Sequence, residues 1–341
     1  MNDVAGAMPR DGWARSISRP LRIVLHRVTH AIPTILSVLI VNFFLIRLIP
    51  GDTVDALVTE AQGADEAFKS QLRNELGLDR SIWIQLGIYL WRMLHLDFGW
   101  SYRHSLPVLD VVLDRLGPTV LLMTVSILIA LLAGVFVGAT AAGYFRTWKD
   151  RLITTVALLF YATPTFWVGL MLIVLFAIKL RLLPVDGFAT IGAGYTGLHY
   201  AFDIGRHLVL PAATLSLFYL AVYTRMMRTS MLELVGSDFV RTARAKGLSD
   251  RAVVWRHMLR NALLPVITLV GIQIGSLLGG AVVVETVFSW PGLGRLAYDA
   301  VLQRDYNLLL AILFMSVLVV VTVNIAIDLL YAWIDPRIDV N

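Results

Sequence analysis

SDFVRTARAKGLSDRAVVWRHMLRNALLP, from Ser237 to Pro265, lies between two long apolar segments of the chain. This stretch is short, rich in arginine, and punctuated as two helices. Ser237 and Asp238 predict the cap of a first helix, and Gly247 predicts its end in a left-handed conformation. Ser249 then predicts the start of a second helix that runs toward Pro265.

The first of these helices needs a surface to lie against. It would have only about two or three turns, and isolated helices that short are marginal in water. Phe239, Val240 and Ala243 give it a small apolar face. Taken alone, the residues leave two interpretations equally open: a helix that docks on a partner, or a basic loop that only fixes membrane topology.

The same stretch resembles the cytoplasmic loop of importer-type ABC permeases, in the variant found in dipeptide, oligopeptide and nickel permeases. The resemblance is carried by RTARAKG followed by RHMLRNALLP. The general pattern of that superfamily is Glu-Ala-Ala, three residues, Gly, nine residues, then Ile-x-Leu-Pro. Three residues match this pattern: Ala243, Gly247 and Leu259. Arg241 occupies the position of the Glu, and Arg260 occupies the position of the final Pro. The peptide-permease variant of the loop is itself basic. The departure from the general pattern therefore bears on how the ATPase surface is contacted and not on membership of the family.

Other segments extend the resemblance over nearly the whole chain, among them LIRLIPGD, LDFGWSYR, FYATPTFWVGL, GGAVVVETVFSWPGLG and DLLYAWIDPRI. It implies a permease subunit of a bacterial inner-membrane importer for di- or oligopeptides, or for nickel chelates within the same family. The implied partners are a second homologous permease, two ATPase subunits that bind ATP and Mg, and an extracytoplasmic solute-binding protein. The implied ATPase-coupling residues are Phe239, Val240, Arg241, Ala243, Arg244, Gly247 and Leu259.

Composition indicates a membrane protein independently of any resemblance. Hydrophobic residues make up 57% of the 341 residues, and the mean hydropathy is +0.73. The chain has no cysteine, which excludes disulfides and thiolate ligands. It also lacks a GxxxxGK[ST] phosphate loop and an HExxH motif, and no catalytic or metal-binding set is indicated by spacing. If ATP drives this protein, another subunit hydrolyses it.

Uncharged apolar runs predict an all-α polytopic fold with six transmembrane helices. The runs are 29–46, 116–145, 152–178, 208–224, 261–284 and 306–327. The net charge is +5, and 17 of the 29 Lys and Arg residues fall in the segments on the side of both termini. This positive-inside pattern predicts cytoplasmic N and C termini, with the first helix an uncleaved anchor.

The spans divide the chain into five predicted regions. Residues 1–28 form a cytoplasmic tail, 29–49 the first transmembrane helix, and 50–115 an extracytoplasmic loop domain. Residues 116–334 form the permease core with a coupling loop at 225–264, and 335–341 a cytoplasmic tail.

The loop domain contains two predicted helices, one over 65–75 and one over SIWIQLGIYLWRML. Apolar residues at helical spacing with tryptophans beside them are typical of a helix at the lipid interface, and equally of a docking platform. The resemblance favours a platform that also touches the membrane. Candidate extracytoplasmic gate or docking residues are Trp83, Trp91, Trp100, Trp290, Pro291 and Gly292. Pro291 and Gly292 also predict a helix break, either a plain turn or a loop that dips toward the bilayer.

Small residues four apart predict close helix contacts. Gly134 and Gly138 form one such pair, and Gly271, Gly275 and Gly279 form two in series. These glycines either pack against the chain's own helices or face a second permease or a pore. A kink is predicted at Pro164.

Two acids at the ends of apolar runs, Glu285 and Asp328, raise a rival function. Intramembrane acids can relay protons or bind cations, as in a secondary carrier. Their positions at the span ends favour an interfacial or paired structural role instead, and no inverted repeat is apparent. A third hypothesis, a membrane scaffold whose outer loop only binds a partner, predicts no solute flux.

Overall fold

The computed structural model describes residues 12–48, 80–101 and 103–334. The helices are α1 (Gly12–Arg47), α2 (Ile82–Leu94), α3 (Val108–Gly143), α4 (Trp148–Ala162), α5 (Thr165–Leu172), α6 (Gly197–Leu234), α7 (Asp238–Ala245), α8 (Asp250–Ala252), α9 (Leu259–Val287), α10 (Leu293–Gln303) and α11 (Tyr306–Ile334). Two π-helical segments, Ile173–Lys179 and Val253–Met258, follow α5 and α8. Within these ranges, the predicted all-α class is confirmed apart from one hairpin.

That hairpin pairs β1 (Trp100–Ser101) with β2 (Leu106–Pro107) in antiparallel register. Its position is fixed by a long-range hydrogen bond, because the buried Ser101 hydroxyl donates to the Asp305 carboxylate at 2.6 Å. Asp305 lies directly before α11, so the hairpin is attached to the turn between α10 and α11.

Helix α6 is the central helix, and α3, α4, α5 and α9 all pack on it. The closest approach is between α3 and α6, where a Cβ on Gly138 would lie 2.5 Å from the Thr224 carbonyl oxygen. A Cβ on Gly134 would lie 2.8 Å from the Tyr223 Cβ. Both glycines therefore allow backbone contact, and the predicted packing against the chain's own helices is confirmed for this pair.

The predicted kink at Pro164 is confirmed and is a sharp bend. Helix α4 ends at Ala162, and the segment Thr165–Lys179 leaves it at 104°. Thr163 is extended, as expected for a residue that precedes proline. The run 152–178 is therefore a broken or re-entrant pair of helices in this structure, where the sequence predicted one span.

Pro265 does not end a helix. From Asp250 the chain passes without a loop through α8, the π-helical segment and α9 to Val287, with Pro265 inside α9. The predicted second short helix is thus the beginning of a membrane-length helix.

Three helices among the described residues are long and apolar enough to cross a membrane, or four if the bent pair counts as one span. One of them is α6, which extends well beyond the transmembrane span predicted at 208–224. Residues Thr29–Leu45 form a shorter apolar helix within α1, which begins inside the predicted tail. Six spans and their orientation stay predictions. The predicted helix at 65–75, the tail 335–341 and the Asp328 side chain lie outside what the structure describes.

Three apolar cores hold the bundle together. The first core joins α3, α6, α7 and α9. The second core joins α1, α2, α3, α10 and α11. The third core joins α3, α5, α6 and the end of α9. The first core ties the short helix α7 to the long helices α3, α6 and α9.

Candidate functional site

Helix α7 begins where the sequence predicts but is capped differently. Ser237 occupies the N-cap position, yet its hydroxyl donates backwards to the Leu234 carbonyl at 2.7 Å and makes no side-chain cap. The predicted Ser237 side-chain cap is therefore wrong. Asp238 lies in the first turn, where a carboxylate interacts favourably with the N-terminal end of the helix dipole.

The end of α7 follows the predicted left-handed turn. Gly247 has φ +78°. The Leu248 N–H donates to the Ala243 carbonyl at 3.3 Å, and the Gly247 N–H donates to the Arg244 carbonyl at 2.9 Å. These two bonds form a Schellman motif. The Ser249 hydroxyl then accepts from the Ala252 N–H at 3.4 Å, which confirms the predicted helix start.

Helix α7 has one face turned into the protein and one turned out. Val240 and Ala243 are buried in the first core, and Leu259 packs against that core from the start of α9. Phe239 is outside that core and 37% exposed. The apolar face predicted from the sequence is thus divided: Val240 and Ala243 fix α7 to its own chain, and Phe239 is partly exposed.

The outward face is strongly basic. The Arg241 side chain is 74% exposed, with Asp238 no closer than 4.0 Å. Arg244 contacts Asp250 at 3.2 Å, and both side chains are exposed. Exposed pairs of this kind contribute only about 0.2–1 kcal/mol. Further exposed cations around α7 are Lys246, Arg251, Arg256 and Arg260.

A partly buried ion pair beside this region was not predicted from the sequence. Arg228 of α6 forms a two-pronged contact with Asp150 of α4, with nitrogen–oxygen distances of 2.7 and 2.8 Å. Asp150 is only 3% exposed and also accepts the Arg146 N–H at 3.1 Å. The pair joins the turn between α3 and α4 to the end of α6 that leads into α7. The one available signal was Asp150 itself, an acid among basic residues.

The opposite end of the bundle contains a second buried polar cluster. Glu285 is fully buried and accepts the Thr119 hydroxyl at 2.7 Å and the Arg295 N–H at 2.9 Å. Thr119 in turn accepts the Leu293 N–H at 2.7 Å. A Cβ on Gly292 would collide with the Glu285 carboxylate, so only glycine leaves room for it. This is the paired structural role predicted for Glu285.

The structure divides the six candidate gate or docking residues into two groups. Trp290 is fully buried, where its indole N–H donates to the Pro118 carbonyl at 3.0 Å and its ring meets that of Phe188. Gly292 is buried and Pro291 half-buried, and the predicted helix break at these two residues is found between α9 and α10. This group is an anchor for the loop, not a free surface.

The other three tryptophans are exposed: Trp83, Trp91 and Trp100, at 71%, 65% and 46%. Helix α2 packs on α1 through the ring pair Phe43–Tyr89, with centroids 5.5 Å apart. The Trp83 ring also meets that of Phe44 in α1, with centroids 6.5 Å apart, yet the Trp83 and Trp91 side chains both stay mostly exposed.

The three glycines of α9 differ in their surroundings. A Cβ on Gly271 would be in ordinary contact with Ile327 at 3.5 Å. A Cβ on Gly275 or Gly279 would meet nothing within 4 Å among the residues that the structure describes. Packing against the chain's own helices is therefore found for the first glycine and not for the other two.

Comparison with known proteins gives a consistent set of similarities. The family described as "Binding-protein-dependent transport system inner membrane component" matches residues 134–340. The dipeptide transport system permease protein DppB of Escherichia coli (strain K12) is 38% identical over 335 residues, covering 93% of this chain and 98% of DppB. A putative peptide permease protein of Brucella ovis is 39% identical over 322 residues, covering 94% of this chain and all of the relative.

A likeness in fold extends to a solved structure. A chain of the methionine ABC transporter MetNI, in an inward-facing conformation, superimposes with a TM-score of 0.55 at 18% sequence identity. The match covers 68% of this chain and 99% of that one.

Proposed function

Because the chain belongs to the family of binding-protein-dependent transport system inner membrane components, we propose that it is the peptide-moving permease subunit of an ATP-binding-cassette importer. The relatives that match over nearly its full length are named as dipeptide or peptide permeases. Members of this family are the membrane component, so hydrolysis of Mg-bound ATP belongs to partner subunits. The observation that carries the proposal is helix α7, which is held to the core by Val240 and Ala243 and exposes Arg241 just before the continuous helix from Asp250 to Val287.

The complete importer would contain a second homologous permease, two ATPase subunits and an extracytoplasmic solute-binding protein. The chain would cross the bacterial inner membrane six times with both termini in the cytoplasm, which places α7 on the ATPase side. The exposed tryptophans of α2 and Trp100 would then lie on the opposite side, available to the membrane interface and the binding protein.

Coupling would proceed through α7 in two mechanical steps. Phe239 and Arg241 would contact a groove of the ATPase, while Val240 and Ala243 hold α7 to its own core. Closure of the ATPase pair would displace α7. Because the chain from Asp250 to Val287 is a continuous helix, that displacement would reach α9 directly.

The Asp150–Arg228 pair would keep this motion coordinated. It connects α4 to the part of α6 that precedes α7, so α6 and the α3–α4 turn move together when α7 is displaced. At the other end, the Glu285–Thr119 contact joins α9 to α3, where the motion would reach the extracytoplasmic side.

Uptake by the reconstituted complex tests the proposal. Proteoliposomes that contain the permease pair, the ATPases and the binding protein should accumulate labelled dipeptides with ATP inside and retain that uptake when an uncoupler is added. Uptake that collapses with the uncoupler and needs no other subunit would instead indicate a secondary carrier. An assembled complex without any solute flux would indicate a scaffold.

A further inference from the structure

An open cavity lies between α3 and the segment that leads from α7 into α9. It has a volume of about 630 Å³ and is lined by Phe136 of α3 and by Ser249, Arg251, Ala252 and Trp255. The last four residues follow α7 directly and belong to the beginning of the long continuous helix. The cavity therefore connects the start of that helix with α3.

One wall of the cavity is aromatic. The rings of Phe136 and Trp255 meet with centroids 6.1 Å apart, and the two side chains are still 57% and 41% exposed. Phe136 lies between Gly134 and Gly138 in sequence, so it occupies the side of α3 opposite α6. Aromatic rings, and tryptophan above all, are enriched where hydrocarbon meets the lipid headgroups. This wall is therefore typical of the membrane interface.

The other end of the cavity is polar and positively charged. Arg251 is exposed, and no acid pairs with it among the residues that the structure describes; the adjacent Asp250 contacts Arg244 instead. The Ser249 hydroxyl accepts the Ala252 N–H, which leaves its own hydrogen able to donate. A guanidinium beside a hydroxyl donor is suited to the oxygens of a phosphate group.

An exposed apolar stripe continues from the cavity along α3. Leu128, Leu132 and Phe136 are four residues apart and all exposed, so they share one face of this membrane-length helix. At the rise of an α-helix the stripe is about 12 Å long, and it runs from the cavity toward the middle of α3. A soluble anion would use only the polar end. An acyl chain attached to a phosphate would use both the polar end and the stripe.

We propose that this cavity binds an anionic glycerophospholipid of the inner leaflet. Its phosphate would contact Arg251 and Ser249, its glycerol region would lie on the rings of Phe136 and Trp255, and one acyl chain would follow the stripe on α3. Basic pockets at the cytoplasmic ends of membrane helices are suited to such headgroups. One lipid molecule would thus bridge α3 and the segment that joins α7 to α9. The inference rests on the proposed function, because a cytoplasmic α7 places the cavity in the inner leaflet.

Thermal unfolding of the purified full chain in neutral detergent tests the proposal. A ligand that binds the native protein raises its unfolding temperature. Dioleoylphosphatidylglycerol should raise it saturably, and dioleoylphosphatidylcholine should need about a fivefold higher concentration for the same effect, because its headgroup has no net negative charge for Arg251. Inorganic phosphate should give no shift. Equal stabilisation by the two lipids, or stabilisation by phosphate alone, would overturn the inference.

Substitution of Arg251 tests the polar end. Arg251→Gln should raise the half-effect concentration of phosphatidylglycerol about fivefold and leave that of phosphatidylcholine unchanged. Arg256→Gln is the matched control, because Arg256 is an exposed cation nearby that does not line the cavity, and its effect should stay below about twofold. Equal effects of the two variants would show attraction to diffuse surface charge and would overturn the site.

Substitution of Phe136 tests the apolar end. Phe136→Ala should raise the half-effect concentrations of both lipids several-fold in equal proportion, because it removes contact area and no charge. Phe166→Ala is the matched control, since Phe166 is an exposed aromatic residue of α5 that does not line the cavity, and it should change neither value. Unchanged lipid affinity in Phe136→Ala would overturn the proposed seat of the lipid.

The outcomes separate this inference from the proposed function, because the binding assay needs neither an ATPase nor a solute. If phosphatidylglycerol fails to bind while the reconstituted importer takes up peptides, only this inference is overturned. If the lipid binds as expected and no importer activity is found, only the proposed function fails. If Arg251→Gln binds the lipid normally but recovers less ATPase, the cavity belongs to the ATPase contact and the lipid inference is overturned.

Discussion

Replacing Gly247 tests the coupling segment at the position where its geometry is most demanding. The residue has φ +78°, and a Cβ added there would meet nothing within 4 Å. Any effect of a substitution therefore comes from the backbone conformation and not from a collision. An L-residue in the left-handed region costs about 1–2 kcal/mol, and a β-branched residue is strongly disfavoured there. A cost of that size changes a two-state population by a factor of about 5–30.

We therefore expect Gly247→Val to change the angle between α7 and α8 without unfolding the first core. The assay is the ratio of peptide taken up to ATP hydrolysed by the reconstituted importer, which Gly247→Val should lower several-fold while hydrolysis continues. Gly247→Asn is the matched control, because asparagine visits the left-handed region more readily, and it should keep most of the ratio. A wild-type ratio for the valine variant, or equal losses for both variants, would refute the reasoning.

Two further substitutions test contacts away from α7. Asp150→Ala leaves the partly buried Arg228 guanidinium without its partner, so the free energy of unfolding should fall by about 1.5–3 kcal/mol. A loss below about 1 kcal/mol in a thermal or denaturant titration would contradict a stabilising pair. Gly138→Ala forces α3 away from α6 and should cost about 1–3 kcal/mol, while Gly143→Ala in the same helix, where a Cβ meets nothing, should be nearly neutral. Equal stability of the two alanine variants would contradict the close approach.

The features that the sequence predicted correctly depend on neighbouring residues. Local backbone rules account for three of them: the left-handed turn at Gly247, the helix start at Ser249 and the helix break at Pro164. A single stretch of sequence therefore contains the information needed for each. The resemblance to peptide permeases was likewise carried by short local motifs.

The features that it missed depend on contacts between distant residues. Asp150 and Arg228 are far apart in sequence, and nothing local marks them as a pair. The glycine pairs of α3 and α9 have identical spacing, yet one is packed and the other open because α6 covers only the first. Ser237 has the right residue type for an N-cap, but its hydroxyl donates to the Leu234 carbonyl one turn earlier. A sequence motif does not show which of two such partners the hydroxyl will bind.

Cross-linking from Phe239 tests the central claim most directly. The chain contains no cysteine, so Phe239→Cys introduces a single thiol on the exposed face of α7, and Trp83→Cys introduces one on the exposed face of α2. In the assembled importer, a short bifunctional thiol reagent should join Phe239→Cys to a cysteine placed in the ATPase groove, and Trp83→Cys should give no such product. Labelling of Phe239→Cys by a membrane-impermeant reagent from outside intact cells, with no cross-link to the ATPase, would contradict the account.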